Sequence, residues 1–324
     1  MWRWARRTLL SLIGLLAVVA GCGAIYQSLA TGRDLAATPS PGRLVDIGGH
    51  RLHIWCEGSG SPAVILDSGL GGTAFDWHAV QPHVSSFTQV CSYDRAGMGY
   101  SDPGPQPRTS EQIASELEKL LVRSDIKKPV ILVGASFAGF NMRIFASKHP
   151  DRVAGLVLVD ASHEDQGARY AQAGAPEKAP AYAGLVPIAA SVGILRLLNV
   201  TLGPPPELAA PSVRPFVRAT AFRSSRYHTM VSELMHARQS GAQVKTTRRQ
   251  LAIPLVVLSP RQRVGPIGEV DRALQADLVT LSTRACRMVA ERSGHVIAND
   301  QPEAVVRAIR ATLDAAKTNT RPDC

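Results

Sequence analysis

Ala63–Leu66 (AVIL), Val130–Val133 (VILV), Gly155–Val159 (GLVLV) and Leu255–Leu258 (LVVL) are apolar runs bounded by Gly, Pro or Asp. Runs this short, with no polar alternation, read as strands buried on both faces, and a strand of that kind belongs in a mostly parallel sheet covered by helices. Gln89–Tyr93 and Arg287–Ala290 extend the series, while Leu44–Ile47 and Arg51–Cys56 flank Gly48-Gly49, a hairpin signal. Between the runs, Ser110–Ser124, Phe137–Lys148 and Pro302–Lys317 read as helices, the last with Pro in its first turn. An antiparallel hairpin followed by repeated strand–helix units predicts an α/β sandwich: an eight-stranded, mostly parallel sheet with helices on both faces.

One stretch breaks the alternation. Residues 162–250 contain no clear strand, and Pro204-Pro205-Pro206 interrupts apolar segments there. This reads as a helical cap inserted between a first core part, 44–161, and a second, 251–324. The cap carries 11 Lys/Arg against 5 Asp/Glu and so holds much of the chain's net charge of +10. Such a balance raises the question of nucleic acid, but aromatics make up only 5% and no dense Lys/Arg tract occurs. Nucleic-acid partners call for clustered charge and stacking rings, so none is expected. With 45% hydrophobic and 19% charged residues over 324 positions, the chain is neither disordered nor a polytopic membrane protein.

Arg3, Arg6 and Arg7 precede an uncharged stretch from Thr8 to Gly32, apolar almost throughout from Leu9 to Ala20. A basic start followed by such a segment is the pattern of an export signal, and the stretch is long enough to span a bilayer. Two outcomes compete for residues 1–30. Val19-Ala20-Gly21-Cys22 resembles the lipobox of bacterial lipoproteins, with lipidation at Cys22; alternatively the segment stays as an uncleaved anchor. Both predict a membrane-associated, extracytoplasmic protein, with a linker at 31–43 built around Ala36–Gly42 (AATPSPG). Without Cys22 four cysteines remain, an even number that suits an oxidising compartment. No C-x-x-C or H-E-x-x-H occurs, so no metal is expected.

After Val130–Val133 comes Gly134-Ala135-Ser136-Phe137-Ala138-Gly139, then a helix. A Ser on a sharp strand-to-helix turn needs small flanking residues, since neighbouring backbone must pass closely. The helix start beneath it favours developing negative charge. Together with Ser68–Gly72 (SGLGG), Tyr93–Ser101 (YDRAGMGYS), His149–Val153 (HPDRV) and Ser293-Gly294-His295, this turn makes the chain similar to the α/β-hydrolase superfamily over nearly all of Leu44 to Lys317.

The resemblance implies a serine hydrolase that needs no cofactor. Ser136 would be the nucleophile and His295 the general base. The acid is open between two residues. The usual loop after Leu255–Leu258 reads Ser-Pro-Arg-Gln-Arg, with no carboxylate before Glu269, whereas Asp160 ends an earlier strand, a placement some lipases of the superfamily use. Ser68–Gly72 resembles the oxyanion loop, which would give that role to the N–H groups of Leu70 and Phe137. Tyr93–Asp102 is read as a turn at the same edge, without chemistry, and His163 is the other histidine of interest.

The expected substrate is a small-molecule carboxylic ester or acyl compound, with peptide and C–C bond hydrolysis as alternatives on the same fold and a non-catalytic binding protein as the rival class. Epoxide hydrolases and haloalkane dehalogenases attack with a carboxylate, where this chain has Ser136. Superfamily caps cross the carboxyl edge of the sheet, so Leu185–Val192 and Leu195–Leu202 are expected to line an acyl pocket. The superfamily's strand order sets the second strand beside the fourth, which implies a Cys56–Cys91 disulfide; Cys286 and Cys324 are a weaker second pair.

Overall fold

The computed structural model describes residues 2–174, 180–261 and 265–324. Gln262 and Arg263 of the loop after Leu255–Leu258, residues 175–179 of the cap stretch, and Met1 lie outside the described residues. The chain opens with a 36-residue helix, α1 (Trp2–Ala37). Three strands follow: β1 (Arg43–Asp46), β2 (Arg51–Glu57) and β3 (Val64–Asp67). A short helix α2 (Gln81–Ser85) leads to β4 (Val90–Tyr93), then α3 (Ser110–Arg123), β5 (Val130–Ala135), α4 (Ala138–Lys148) and β6 (Val153–Val159). The middle of the chain is helical: α5 (Gln166–Gln172), α6 (Val186–Ser191), α7 (Ile194–Leu197), α8 (Arg214–Ala221), α9 (Ser224–Met235) and α10 (Ala237–Thr247). The fold closes with β7 (Leu251–Pro260), α11 (Gly265–Val279), β8 (Ser282–Ala290), α12 (Ile297–Asp300) and α13 (Pro302–Thr318).

The strands form one eight-stranded sheet in the order β1-β2-β4-β3-β5-β6-β7-β8. The β1–β2 and β2–β4 pairs are antiparallel and the others parallel. In β5, Val130 and Leu132 face one core while Ile131 and Val133 face the other, and β6 and β7 divide their apolar residues in the same way. Burial on both faces is why these runs show no polar alternation. On one face, α3 and α4 supply Ile113, Leu117, Met142 and Phe145. On the other, α13 supplies Val305, Ile309 and Leu313, residues at helical spacing that give one apolar stripe.

The register sets Cys56 of β2 directly opposite Cys91 of β4, with Cα atoms 4.0 Å apart and the sulfurs bonded at 2.04 Å. The sulfurs of Cys286, in β8, and Cys324 are also bonded. Cys22 is exposed and free.

The expected linker at 31–43 needs correction, because α1 runs unbroken through Ala37. Breakers begin only at Pro39, and residues before it find partners on the middle helices. Arg196 donates to Gln27 (3.0 Å), Thr31 (3.3 Å) and Asp34 (2.5 Å), which lie along one face of α1. Beyond the helix, the carbonyl of Pro41 meets the buried ring of His53. Thr31, Asp34 and Pro41 therefore contact the fold.

Candidate active site

Parallel strands bring their carboxyl ends to one edge, and the candidate site stands there. Asp67 at the end of β3 pairs with Gly134 of β5, and Ala135 pairs with Val159 of β6. The register therefore sets the Ser68–Gly72 loop, the Ser136 turn and Asp160 side by side. Ser136 has φ +51°, in the left-handed region, and Asp160 has φ +41°; at non-glycine residues such backbone needs support from its surroundings. Hydrogen bonds supply it. Ser136 N–H donates to Val159 O (3.0 Å), Ser162 N–H to Ser136 O (2.9 Å) and Asp160 N–H to Leu258 O (2.8 Å).

The small residues around Ser136 are explained by close backbone. A Cβ on Gly134 would lie 2.8 Å from the Ala138 carbonyl oxygen, and one on Gly139 would lie 2.5 Å from Ala161 Cβ. Between them, Ala138 in place of a second glycine is fully buried and fits.

His295 reaches this edge from the loop between β8 and α12. Asp300 holds that loop, accepting from Gly294 N–H (3.0 Å) and Ser293 Oγ (3.1 Å). His295 Nε2 is 3.1 Å from Ser136 Oγ, and Nδ1 is 2.5 Å from Asp160 Oδ2. The Asp160 carboxylate is 1% exposed and the imidazole 47%, so the acid is shielded while the ring faces the site's opening. Of the two candidate acids, the structure brings Asp160 to His295; Glu269 is an exposed residue of α11. His163 lies elsewhere, bonded to Asp277 (2.7 Å) in an ionic cluster with Glu164 and Arg248.

Gly69 packs against the serine: a Cβ there would stand 3.3 Å from Ser136 Cβ. Among the described residues, the N–H groups of Leu70 and Phe137 donate to no backbone carbonyl, which leaves both available to a ligand. Ser68 itself turns away, its hydroxyl donating to Thr73 O at 2.7 Å.

Arg95 is the residue that sequence reasoning passed over. It follows β4 and is buried, 2% exposed. Its Nη1 donates to Asp67 (2.6 Å) and to the Ser68 carbonyl (2.5 Å), and its Nη2 donates to the Gly69 carbonyl (2.8 Å). Its other edge makes two bonds to Glu233 of α9. Burial alone would lower its pKa; Glu233 and Asp67 outweigh that and hold it well above the usual arginine value. The guanidinium thus fixes the Ser68 and Gly69 carbonyl oxygens of the loop that packs against Ser136. The available signal was Asp67, a carboxylate ending an apolar strand beside a strand that is followed by Asp94-Arg95. Asp94 in turn accepts from Ala74 N–H (2.7 Å), Tyr100 N–H (2.9 Å) and His53 (2.7 Å), which makes the Tyr93–Asp102 turn an anchor for its neighbours.

Two cavities meet at Ser136 and His295. One, of about 490 Å³, is polar, lined by Asp160, Ser162, Gln166, Tyr170, Asp271 and Gln275. The other, of about 350 Å³, is mainly apolar, with Leu70, Trp77, Val159, Leu202, Met230 and Ile297. The expectation that Leu185–Val192 and Leu195–Leu202 line it is met only at Leu202. Leu185, Ile188, Leu197 and Leu198 are 60–67% exposed, because α6, α7 and the residues that flank them present these side chains to the outside.

Residues 62–193 match the family model described as the alpha/beta hydrolase fold, and the sheet order and edge geometry extend that match along the chain. The chain has the α/β-hydrolase fold. The chain is 24% identical over 271 residues to the uncharacterized protein YqjL of Bacillus subtilis, covering 82% of this chain and 89% of that one. It is 26% identical over 176 residues to YbdG of the same species and spans only 54% of that relative's length. It is also 34% identical over 123 residues to the 2-hydroxy-6-oxo-2,4-heptadienoate hydrolase of Pseudomonas putida, covering 37% of this chain and 44% of that one. Among solved structures it shares its fold with a thermophilic esterase from Thermogutta terrifontis (TM-score 0.60, 20% identity, covering 86% and 99% of the two chains). A haloalkane dehalogenase variant from Bradyrhizobium elkanii is similar in fold too, with TM-score 0.62, 16% identity and coverage of 86% and 97%.

Proposed function

We propose that this chain is a membrane-tethered, extracytoplasmic serine hydrolase that cleaves carboxylic esters through an acyl-enzyme on Ser136. The observation that carries the reading is the chain of contacts Ser136–His295–Asp160 at the meeting point of a polar and an apolar cavity. In this mechanism His295 Nε2 takes the Ser136 proton as Oγ attacks the ester carbonyl. Buried Asp160 holds Nδ1–H, keeps the tautomer and stabilises the imidazolium. The N–H groups of Leu70 and Phe137 receive the oxyanion. The imidazolium then protonates the leaving alcohol, and water, activated by the same ring, releases the acid. The apolar cavity suits the acyl chain and the polar one the leaving group.

The tether rests on α1. It contains an 18-residue window of mean hydropathy 2.3 with no part buried in the fold. The bonded cysteine pairs accord with an oxidising compartment.

A fluorophosphonate probe tests the chemistry. Labelling of the wild-type protein that disappears in Ser136→Ala supports the reading; an unlabelled wild-type protein overturns it in favour of a binding protein. Turnover of p-nitrophenyl esters of increasing chain length then measures the acyl preference, and turnover confined to peptides or to C–C bonds would move the substrate class.

A further inference from the structure

α1 is docked on the helices that follow β6, and the docking begins close to the end of its apolar stretch. A side chain at Gly23 would collide with the Val192 carbonyl oxygen, and a Cβ on Gly193 would lie 3.3 Å from both Gly23 O and Tyr26 Cδ1. Gln27 donates to the Phe222 carbonyl at 2.5 Å, and Arg196 grips Gln27, Thr31 and Asp34. These contacts fix how the fold stands relative to whatever holds the helix.

The level of the bilayer follows from length. A hydrocarbon core about 30 Å thick takes about 20 helical residues. Counted from Thr8, the first residue after the basic cluster, that reaches Gln27. If the chain is instead cut and lipidated at Cys22, the acyl chains start one residue before Gly23. Either form of the tether sets Val192, Gly193 and Arg196 at the membrane boundary. The residues flanking them are apolar and exposed: Leu185 64%, Ile188 60%, Ile194 44%, Leu197 67% and Leu198 67%. At the other end of the contact, Asp34, Arg214 and Arg218 line a charged surface; with Asp34 seven residues beyond Gln27, or about 10 Å along the axis, it stands clear of the lipid.

We infer that the exposed apolar face of α6 and α7 is a membrane-docking surface that rests in the outer boundary of the same bilayer that holds α1. The inference rests on the tether proposed above. It accounts for large apolar side chains that neither fill the core nor line the active-site cavity. Leu202, which does line that cavity, lies four residues beyond Leu198, so the docked surface borders the apolar entrance to Ser136.

The test is depth-dependent fluorescence quenching of the full chain reconstituted in phosphatidylethanolamine/phosphatidylglycerol vesicles. In a Cys22→Ser background, Leu198→Cys, Ser11→Cys and Lys317→Cys are each labelled with an environment-sensitive fluorophore; all three positions are exposed. The expected result is that labels at positions 11 and 198 lose most of their emission to a lipid-borne quencher, while the one on α13 at position 317 keeps it. Quenching at 11 without quenching at 198 overturns the docking surface and leaves the tether intact. No quenching at either 11 or 198 overturns the anchored form of the tether and the docking surface together.

Discussion

Arg95 and Glu233 meet through two hydrogen bonds, of 2.7 and 3.1 Å, at the seam between the sheet and helix α9. The same guanidinium holds the Ser68 and Gly69 carbonyls. One side chain therefore ties the middle helices to the loop that lies against Ser136, and the shape of that loop depends on a contact far away in sequence.

Arg95→Met is expected to act twice. It leaves Asp67 and Glu233 buried with their strongest partner gone, which costs about 3–5 kcal/mol, read as a shift in the denaturant midpoint. It also frees the loop, so kcat should fall about 10²–10³-fold, the scale of losing an oxyanion donor, with little change in KM. Unchanged kcat in the folded fraction would make Arg95 a purely structural residue.

Asp160→Asn should lower kcat by about 10⁴-fold with KM nearly unchanged, because the amide no longer holds the imidazole in the tautomer that accepts the Ser136 proton. Steady-state ester hydrolysis measures it. Near wild-type turnover would take the acid role from Asp160 and make Glu269→Gln the next variant.

Gly139→Ala tests the turn by volume alone. Its Cβ would meet Ala161 Cβ at 2.5 Å, and overpacking of this kind costs about 1–3 kcal/mol. A lowered Tm with loss of activity is expected; an unchanged Tm would mean that α4 can move away from Ala161 freely.

His53 makes stability depend on pH. The ring is fully buried between the Asp94 carboxylate (2.7 Å) and the Pro41 carbonyl (2.5 Å). Burial lowers its pKa, but the charge of Asp94 and the hydrogen bonds to both acceptors prevail, and the net shift is upward. Two acceptors suit an imidazolium, which has two N–H donors. A raised folded-state pKa means that the contribution is fully present below the unfolded value, about 6.5, and is lost as pH rises through the folded value. Urea midpoints should fall across that window in the wild type, and His53→Gln should flatten the fall. An equally steep fall in the variant would exclude His53 as its source.

Cys56→Ser together with Cys91→Ser should cost about 2–4 kcal/mol, since the bond closes a loop of 35 residues. Non-reducing peptide mapping of the wild type should recover both cysteines in one linked peptide pair, and alkylation of both in unfolded, unreduced protein would exclude the bond.

Much of the fold was legible in short-range pattern. Apolar runs such as VILV and GLVLV identify doubly buried strands because burial on both faces leaves no polar alternation. The Gly134–Gly139 turn announces a strained serine because its neighbours must be small. Long-range partners were not legible in the same way. Glu269 and Asp160 were both carboxylates in an allowed chain order, and only the pairing of β6 beside β5 decides which one reaches His295. Arg95 read as part of a turn, since nothing local shows that its guanidinium spans Asp67, Gly69 and Glu233. Residues 31–37 read as a linker because the contacts that keep them helical come from Arg196, more than 150 positions away. The apolar segments of α6 and α7 read as pocket lining because hydropathy says that a side chain avoids water, not which apolar surface it meets. Local sequence determined the strands, the strained turn and the kinds of chemistry available; the packing of distant segments decided which groups meet and which face turns outward.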